Sequence, residues 1–151
     1  MPPEQIHLTL KFIGDIADDH LPAMVEAATD ALTGPPFTLR VEGGGSFGPP
    51  SQPRVLWAGT TGEVRRVAGV FRALDRAMRH LGYPAEHRTF TPHVTLARVQ
   101  GRVPGATLER LRSQVPALPL PVAEITLFRS ELLPGGARHT PVHRFALRRP
   151  G

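Results

Sequence analysis

Two short stretches decide the fold of this chain, His7-Leu8-Thr9-Leu10 (the first motif) and His93-Val94-Thr95-Leu96 (the second motif). Each reads histidine, apolar, threonine, apolar. Residues two apart in an extended strand point to the same face. The histidine and threonine of each motif therefore share one face of a strand, and the apolar residues share the other. Two strands that each present an imidazole beside a hydroxyl predict a two-histidine acid–base site.

A third copy of the shorter pattern shows why the apolar positions matter. His87-Arg88-Thr89 also reads His-x-Thr, but Arg88 takes the place of the apolar residue. A bare His-x-Thr is therefore a weak pattern, whereas the stricter four-residue pattern is much rarer by chance. We expect His7 and His93 to be functional, and we expect the other histidines to be structural or exposed.

The composition is that of an ordinary globular domain and excludes several kinds of site. The chain has 151 residues, 40% hydrophobic and 21% charged, which predicts one domain. Since it has no cysteine, disulfides, thiolate catalysis and cysteine-based zinc sites are excluded. No apolar run approaches the ~20 residues of a membrane helix, and no signal peptide is visible. We expect a cytoplasmic monomer that does not bind membranes.

The charge favours a polyanionic partner but has a second explanation. A formal net charge of +5 suits RNA. However, 17 of the 18 basic residues are arginine, and Lys11 is the only lysine. Together with 17 prolines and 15 glycines, this bias is equally well explained by a GC-rich coding sequence. Charge alone therefore does not identify RNA as the partner.

Hydrophobic periodicity predicts an α+β fold with an internal duplication. We expect two glycine features: Gly82 ends a helix, and a Pro-Gly-Gly turn at 134–136 closes a hairpin. The predicted elements are a strand at 6–13, a helix capped by Asp18 or Asp19 and running to about Leu32, a strand at 37–42, a loop at 43–53, a strand at 54–60, a helix from about Gly62 to His80, a strand at 93–99, a short helix containing Leu108 and Leu111, and strands at 123–132 and 143–148.

Four segments together resemble the LigT-like RNA 2′,3′-cyclic phosphodiesterases of the two-histidine phosphoesterase superfamily. They are Pro3–Gly14, Arg54–Gly59, Phe90–Arg98 and Thr126–Leu132. The resemblance implies one two-lobed domain over residues 1–151, with antiparallel sheets lining a central cleft, helices outside, and one motif in each lobe. Family members usually carry a further strand and helix before the first motif. We therefore expect that piece to be missing, or the start of the chain to be shifted.

The resemblance also implies a reaction: hydrolysis of RNA 2′,3′-cyclic phosphate ends, or of cyclic nucleotides, to 2′-phosphates without metal or cofactor. It makes His7 the general acid toward the 3′-oxygen and His93 the base that activates water. Thr9 and Thr95 would donate hydrogen bonds to the phosphate oxygens. The same groups would permit the reverse reaction, 2′-5′ RNA ligation. Because the site is nearly symmetric, the division between acid and base stays open.

Several secondary assignments have competing interpretations. Arg88 and Arg129 are candidates for phosphate contact or are solvated surface charges. Phe47, in the glycine-rich loop, either stacks on a base or fills the core. We expect Trp57 to be buried packing. Two other functions stay open, a non-catalytic RNA-binding module and a metal-dependent phosphodiesterase. Two proton-transfer groups argue against the first, and chelation of metal tests the second.

Overall fold

The computed structural model describes residues 2–149 and has an α+β fold, as predicted. Turns of 3₁₀ helix lie at Pro3–Gln5 and Asp18–His20. Among the described residues, no helix combines the length and apolar character that crossing a bilayer requires. The helices and strands are α1 (Leu21–Ala31), β1 (Phe37–Phe47), β2 (Val55–Gly62), α2 (Val64–His80), β3 (His93–Arg98), α3 (Gly105–Ser113), β4 (Leu118–Val122), β5 (Glu124–Leu133) and β6 (Gly136–Ala146).

The chain forms two compact units. Unit 1 contains the described residues of Met1–Thr9, Thr38–Val64 and Thr91–Leu120, and unit 2 contains those of Leu10–Phe37, Arg65–Phe90 and Pro121–Gly151. The expectation of one motif in each lobe is wrong for these units, because both motifs lie in unit 1. The reason is direct pairing: the first motif bridges the second motif in antiparallel fashion, Leu8 to Val94. That residues 1–151 act as a single domain stays a prediction.

The sheet of unit 1 has the strand order β3-β2-β1-β4, and β1, β2 and β3 pair antiparallel. β1 continues to Phe47, so the predicted loop at 43–53 begins too early. The glycines allow this, because Gly45 pairs opposite Trp57. A Cβ atom on Gly45 would lie 2.5 Å from the Trp57 indole. Gly45 therefore makes room on β1 for a large aromatic ring.

The predicted strand at 6–13 is also wrong as a regular strand. Within that stretch, Leu8 alone takes part in a β-bridge, and residues 9–17 lie outside helices and strands. A strand needs a continuous ladder of partners. The chain instead passes from unit 1 to unit 2 directly after Thr9, so the alternating pattern produces one bridge and then an irregular segment.

The core of unit 2 is formed by two helices and one strand. It consists of Met24, Ala28 and Leu32 from α1 and the turn after it, Met78 from α2, and Phe145 from β6. Burial of such side chains is the main stabilising contribution, and truncation of one to alanine costs about 2–5 kcal/mol. The helical spacing of these apolar residues was correctly read from the sequence.

The helix ends match the sequence prediction at one place and differ at another. Gly82 has a positive φ of 92° and donates its amide to the Arg79 carbonyl at 2.9 Å, so the predicted C-terminal cap of α2 is confirmed. The predicted cap of α1 by Asp18 or Asp19 is wrong. A 3₁₀ turn occupies those residues, and α1 starts at Leu21 without a side-chain cap. Proline in its first turn lacks the amide that a cap would bind.

The hairpin turn is confirmed, and the strand after it is longer than predicted. β5 ends at Leu133 and β6 begins at Gly136. The pairs run from Leu133–Gly136 back to Glu124–Ala146 with one irregularity, after Leu127. The prediction began this strand at 143 because the intervening residues are mostly polar and exposed, which removes the hydrophobic signal of a strand.

Candidate active site

Strand β3 sets the direction of the second motif. Val94 pairs with Ala58, and both are buried, at 7% and 1% exposure. Because side chains alternate along a strand, His93 and Thr95 point to the opposite face. On that face His93 lies opposite Gly59, which has no side chain, and Thr95 lies opposite Trp57. Local strand pairing therefore holds the imidazole opposite a residue that has no side chain.

The first motif meets the same face through its single bridge. Antiparallel pairing of Leu8 with Val94 places His7 beside Thr95 and Thr9 beside His93. The structure thus brings the two motifs side by side in unit 1.

The two imidazoles are held in the same way. His7 Nδ1 lies 2.8 Å from the carbonyl oxygen of Gln5, and His93 Nδ1 lies 2.7 Å from that of Thr91. A carbonyl oxygen only accepts hydrogen bonds, so each Nδ1 carries a proton and donates it. In the neutral ring the lone pair then belongs to Nε2, and in the charged ring Nε2 donates. Both histidines therefore direct their chemistry through Nε2.

Two hydroxyls accompany the imidazoles. Thr9 is exposed and Thr95 is half-buried. Across residues 2–149, neither hydroxyl is hydrogen-bonded to another protein group. Both can therefore donate to an anionic group placed on this face. Two imidazole nitrogens able to accept or donate a proton, with a hydroxyl beside each, form an arrangement suited to proton transfer on either side of a phosphate.

Aromatic rings line the His93 side of the site. The Phe47 ring meets His93 edge to face, with centroids 5.0 Å apart, and lies 5.4 Å from Trp57. The Trp57 ring is 6.3 Å from His93. Phe47 ends β1 and is 40% exposed, so the interpretation as a core plug is wrong. Trp57 is half-buried, and its buried Nε1 has no hydrogen-bond partner among the described residues.

The two candidate arginines each have a carboxylate partner, and both belong to unit 2. Arg88 donates Nε and Nη2 to Glu86, at 3.1 and 3.3 Å. Hydrogen bonds from the Arg88 guanidinium and amide lower the pKa of the Glu86 carboxyl to about 2. Arg129 donates Nη2 to Asp18 at 2.9 Å. Phosphate contact by either arginine stays a prediction, in competition with these ion pairs.

Sequence reasoning missed the groups that orient the rings. The carbonyl groups of Gln5 and Thr91 stand two residues before each histidine, and backbone atoms leave no residue-type signal. Gly59 and Trp57, opposite the second motif, were also not assigned to the site. Within residues 2–149, no group of three or more histidine, aspartate or glutamate side chains is placed to hold a metal ion. A cavity of about 520 Å³ in unit 2, between 29–34 and 143–149, contains none of the motif residues.

Comparison with known families settles the relationship of the chain. The family model described as LigT like Phosphoesterase matches residues 1–57 and 60–139. The chain belongs to this family. The match contains both motifs and the β2 strand between them, apart from the two residues at 58–59.

Relatives and solved structures agree with this family. The chain is 33% identical over 149 residues to the RNA 2′,3′-cyclic phosphodiesterase of Methanothermobacter thermautotrophicus, covering 96% of this chain and 80% of that protein. The crystal structure of TT0787 of Thermus thermophilus matches with a TM-score of 0.76 and 31% identity, covering 100% of this chain and 82% of that one. E. coli LigT complexed with 3′-AMP matches with a TM-score of 0.74 and 26% identity, covering 95% and 78%.

Proposed function

We propose that this LigT-like phosphoesterase is a hydrolase that opens the 2′,3′-cyclic phosphate ends of RNA to 2′-phosphates without a metal ion. One observation carries the proposal: the two motifs meet through the Leu8–Val94 bridge, and each histidine donates Nδ1 to the carbonyl two residues before it. A relative that is 33% identical is named for this activity. The cytoplasmic location, the monomeric state and the use of RNA rather than cyclic nucleotides stay predictions.

The chemistry needs one proton acceptor and one proton donor. In the proposed reaction water attacks phosphorus while the bond from phosphorus to the 3′-oxygen breaks. Neutral His93 takes the proton of the water at Nε2, and protonated His7 gives its Nε2 proton to the departing 3′-oxygen. The 2′-oxygen keeps the phosphate. Each proton transfer contributes about 10²–10⁴-fold to the rate.

The threonines and Phe47 complete the proposed site. Thr9 and Thr95 donate hydrogen bonds to the non-bridging phosphate oxygens, where negative charge increases in the transition state. Phe47 offers an exposed ring face beside His93, on which a nucleobase can stack. The distance of 5.0 Å between the Phe47 and His93 ring centroids supports a role for Phe47 in holding the last nucleotide.

The same groups serve the proposed ligation. When the 5′-hydroxyl of a second RNA replaces water, His93 takes its proton and the product has a 2′-5′ bond. In cleavage of a 2′-5′ bond, which is the reverse of this ligation, His7 acts as the base and His93 as the acid. This makes ligation a consequence of the same geometry rather than a second site.

The deciding experiment is hydrolysis of an RNA oligomer with a 2′,3′-cyclic phosphate end, with EDTA present. We expect turnover by the wild type, a 2′-phosphate product by phosphorus NMR, and loss of about 10²–10⁴ in kcat for His7→Ala and for His93→Ala. His80→Ala is the matched control, because His80 also donates Nδ1 to a carbonyl, that of Arg76, but lies at the exposed end of α2.

Each other outcome contradicts the proposal in a different way. Full activity in both His7→Ala and His93→Ala would show that the histidines take no part in the mechanism. Loss of wild-type activity with EDTA would favour a metal-dependent phosphodiesterase. RNA binding without turnover under any condition would favour the non-catalytic RNA-binding module, which the net charge of +5 also suits.

A further inference from the structure

The outer face of α2 carries charge of one sign. All the exposed residues of this helix are basic, and they are Arg65, Arg72, Arg76, Arg79 and His80. The one acidic residue of α2, Asp75, has a side chain that is 13% exposed and that holds Lys11 at 2.8 Å. No exposed carboxylate on α2 therefore balances the basic side chains.

Four of these residues follow one line along the helix. Arg65, Arg72, Arg76 and Arg79, the arginine stripe, are separated by 7, 4 and 3 residues, which is the spacing of a single helix face. At a rise of about 1.5 Å per residue the stripe is about 21 Å long. Arg76, Arg79 and His80 line an open groove of about 330 Å³ at its end. The stripe therefore offers contacts to several anionic groups in a row.

The opposite face of α2 is used for packing. Val67 and Met78 are each 2% exposed. Val70, Leu74 and Ala77 pack against the core of unit 2. A helix that binds a membrane surface buries its apolar face in the lipid. Because protein already covers this apolar face, the stripe suits a partner that is recognised by its charge and not a lipid surface.

A GC-rich coding sequence does not explain where the charge lies. The exposed residues of α1, in unit 2, include two acidic side chains, Glu26 and Asp30, and none that is basic. The arginines of the stripe belong to the same unit. A coding bias toward arginine acts on every segment alike. The concentration of arginine on α2 therefore needs a reason that is particular to this helix.

Stability of the helix does not supply that reason. Positive charge in a first turn is unfavourable, because the helix dipole leaves that end partly positive, yet Arg65 lies in the first turn of α2. Arg79, in the last turn, lies 3.5 Å from Asp75 and so has a local role. Within residues 2–149, Arg65, Arg72 and Arg76 make no salt bridge. These three exposed cations have no intramolecular carboxylate to pair with.

We propose that the arginine stripe is an RNA-binding surface, which contacts the phosphate backbone without regard to base sequence. The choice of RNA as the partner rests on the proposed function, whereas the need for an extended anionic partner follows from the stripe itself. Guanidinium groups bind phosphate oxygens through paired hydrogen bonds. Each such contact releases counterions from the nucleic acid, so the affinity falls as salt rises.

The test is binding of a single-stranded RNA with a 3′-hydroxyl end, followed by fluorescence anisotropy over a series of salt concentrations. This RNA has no cyclic phosphate and is not a substrate. We expect the double variant Arg72→Gln with Arg76→Gln to bind about 25-fold more weakly at about 0.1 M salt, because each single-strand phosphate contact contributes about 0.7 to the slope of log affinity against log salt. The slope should fall by about 1.4. Glutamine is a good helix former, so α2 should persist.

Two variants control for charge and for position. Arg110→Gln with Arg112→Gln removes two exposed arginines from α3, where Glu109 is also exposed. The salt slope of this variant should equal that of the wild type. Arg72→Lys with Arg76→Lys keeps both positive charges and should also retain the wild-type slope.

Hydrolysis of a 2′,3′-cyclic mononucleotide separates this proposal from the proposed function. Its single phosphate is the one that the proposed site uses, so Arg72→Gln with Arg76→Gln should have the kcat and KM of the wild type. If the wild type hydrolyses neither this nucleotide nor the cyclic-phosphate RNA, the proposed function fails. The anisotropy measurement still decides the role of the stripe.

Three results would overturn the proposal. One is an equal Kd and salt slope in the α2 and α3 glutamine variants. Another is the absence of RNA binding by the wild type at about 0.05 M salt, where electrostatic contacts are strong. The third is binding to phosphatidylserine vesicles that is tighter than binding to RNA and is lost in Arg72→Gln with Arg76→Gln, which would make the partner a membrane.

Discussion

The two motifs hold their imidazoles in the same way, although one has much more regular structure around it than the other. The second motif is part of β3 and is paired along its length with β2, whereas the first motif has one bridge. Yet His7 and His93 make the same Nδ1 bond, at 2.8 and 2.7 Å, to the carbonyl two residues before them. The orientation of each ring is therefore fixed locally, and the sheet supplies only the position of the segment.

Removal of Nε2 from each ring in turn is the strongest test of whether the two motifs are equivalent. In His7→Asn and His93→Asn the side-chain amide can still donate to the local carbonyl, but the proton-transfer atom is gone. We expect kcat to fall about 10²–10⁴-fold in both variants, with Tm close to that of the wild type. Steady-state hydrolysis of the cyclic-phosphate RNA is the measurement. A large loss in only one variant would mean that the motifs are not equivalent.

Loss of either threonine hydroxyl is expected to have the next largest effect on kcat. Thr9→Val and Thr95→Val keep the shape of the side chain and remove the donor, so each should lower kcat by about 10²-fold, as for a lost transition-state hydrogen bond. Thr9→Ser and Thr95→Ser keep the hydroxyl and are the matched controls. An unchanged rate in either valine variant would restrict phosphate binding to the other motif.

How far the sequence alone predicts this site depends on the kind of atom involved. The four-residue pattern singles out His7, Thr9, His93 and Thr95, because strand alternation determines which side chains share a face. Their role in the reaction stays a prediction. The carbonyls of Gln5 and Thr91 were not identified, since every residue has a carbonyl. The fold class was predicted correctly because the periodicity of hydrophobic residues indicates which side of each helix or strand is buried.

The errors in the predicted fold also have physical causes. Gly43–Gly45 were assigned to a loop because glycine usually breaks strands, but they continue β1, and Gly45 accommodates the indole of Trp57. Such a contact between neighbouring strands has no signature along one strand. Residues 6–13 alternate like a strand, but the segment lacks a ladder. Alternation predicts which way side chains point, whereas pairing depends on the rest of the molecule.

A substitution at Gly45 should disturb the second motif and spare the first. In Gly45→Ala the new methyl would lie 2.5 Å from the Trp57 ring, so the indole must move. Trp57 and Phe47 both lie beside His93. We expect about a tenfold lower kcat and a change in the NMR signals of His93 but not of His7.

Gly69→Ala is the control for that experiment. Gly69 lies within α2, and the nearest atom to a new Cβ would be Arg72 Nη2 at 3.9 Å. The substitution should leave kcat unchanged and raise the Tm slightly, since alanine is the better helix former. Equal kinetic effects of Gly45→Ala and Gly69→Ala would contradict an influence of the aromatic rings on His93.

The smallest effect concerns stability in acid. The hydrogen bond from Lys11, with that from the Glu86 amide, lowers the pKa of the Asp75 carboxyl below its ordinary value of 3.8. The group therefore stabilises the folded state above its unfolded pKa, and this contribution is lost as pH falls through the lower folded value.

Urea unfolding followed at a series of pH values from about 6 to about 3 measures this dependence. Asp75→Asn should be less stable than the wild type near neutral pH, and the difference should shrink as the medium becomes acid. Glu131→Gln serves as the control with an exposed carboxylate. A difference that grows on acidification would contradict the sign of the Asp75 contribution.

The local hydrogen bond of each histidine has a consequence for protein design. Each catalytic ring obtains its tautomer from a carbonyl within the same short peptide, Gln5–Thr9 or Thr91–Thr95. In a pair of such pentapeptides, set antiparallel with one apolar contact between them, each peptide would itself determine the tautomer of its imidazole. An unrelated antiparallel scaffold that carried both pentapeptides would therefore inherit the tautomer of each ring.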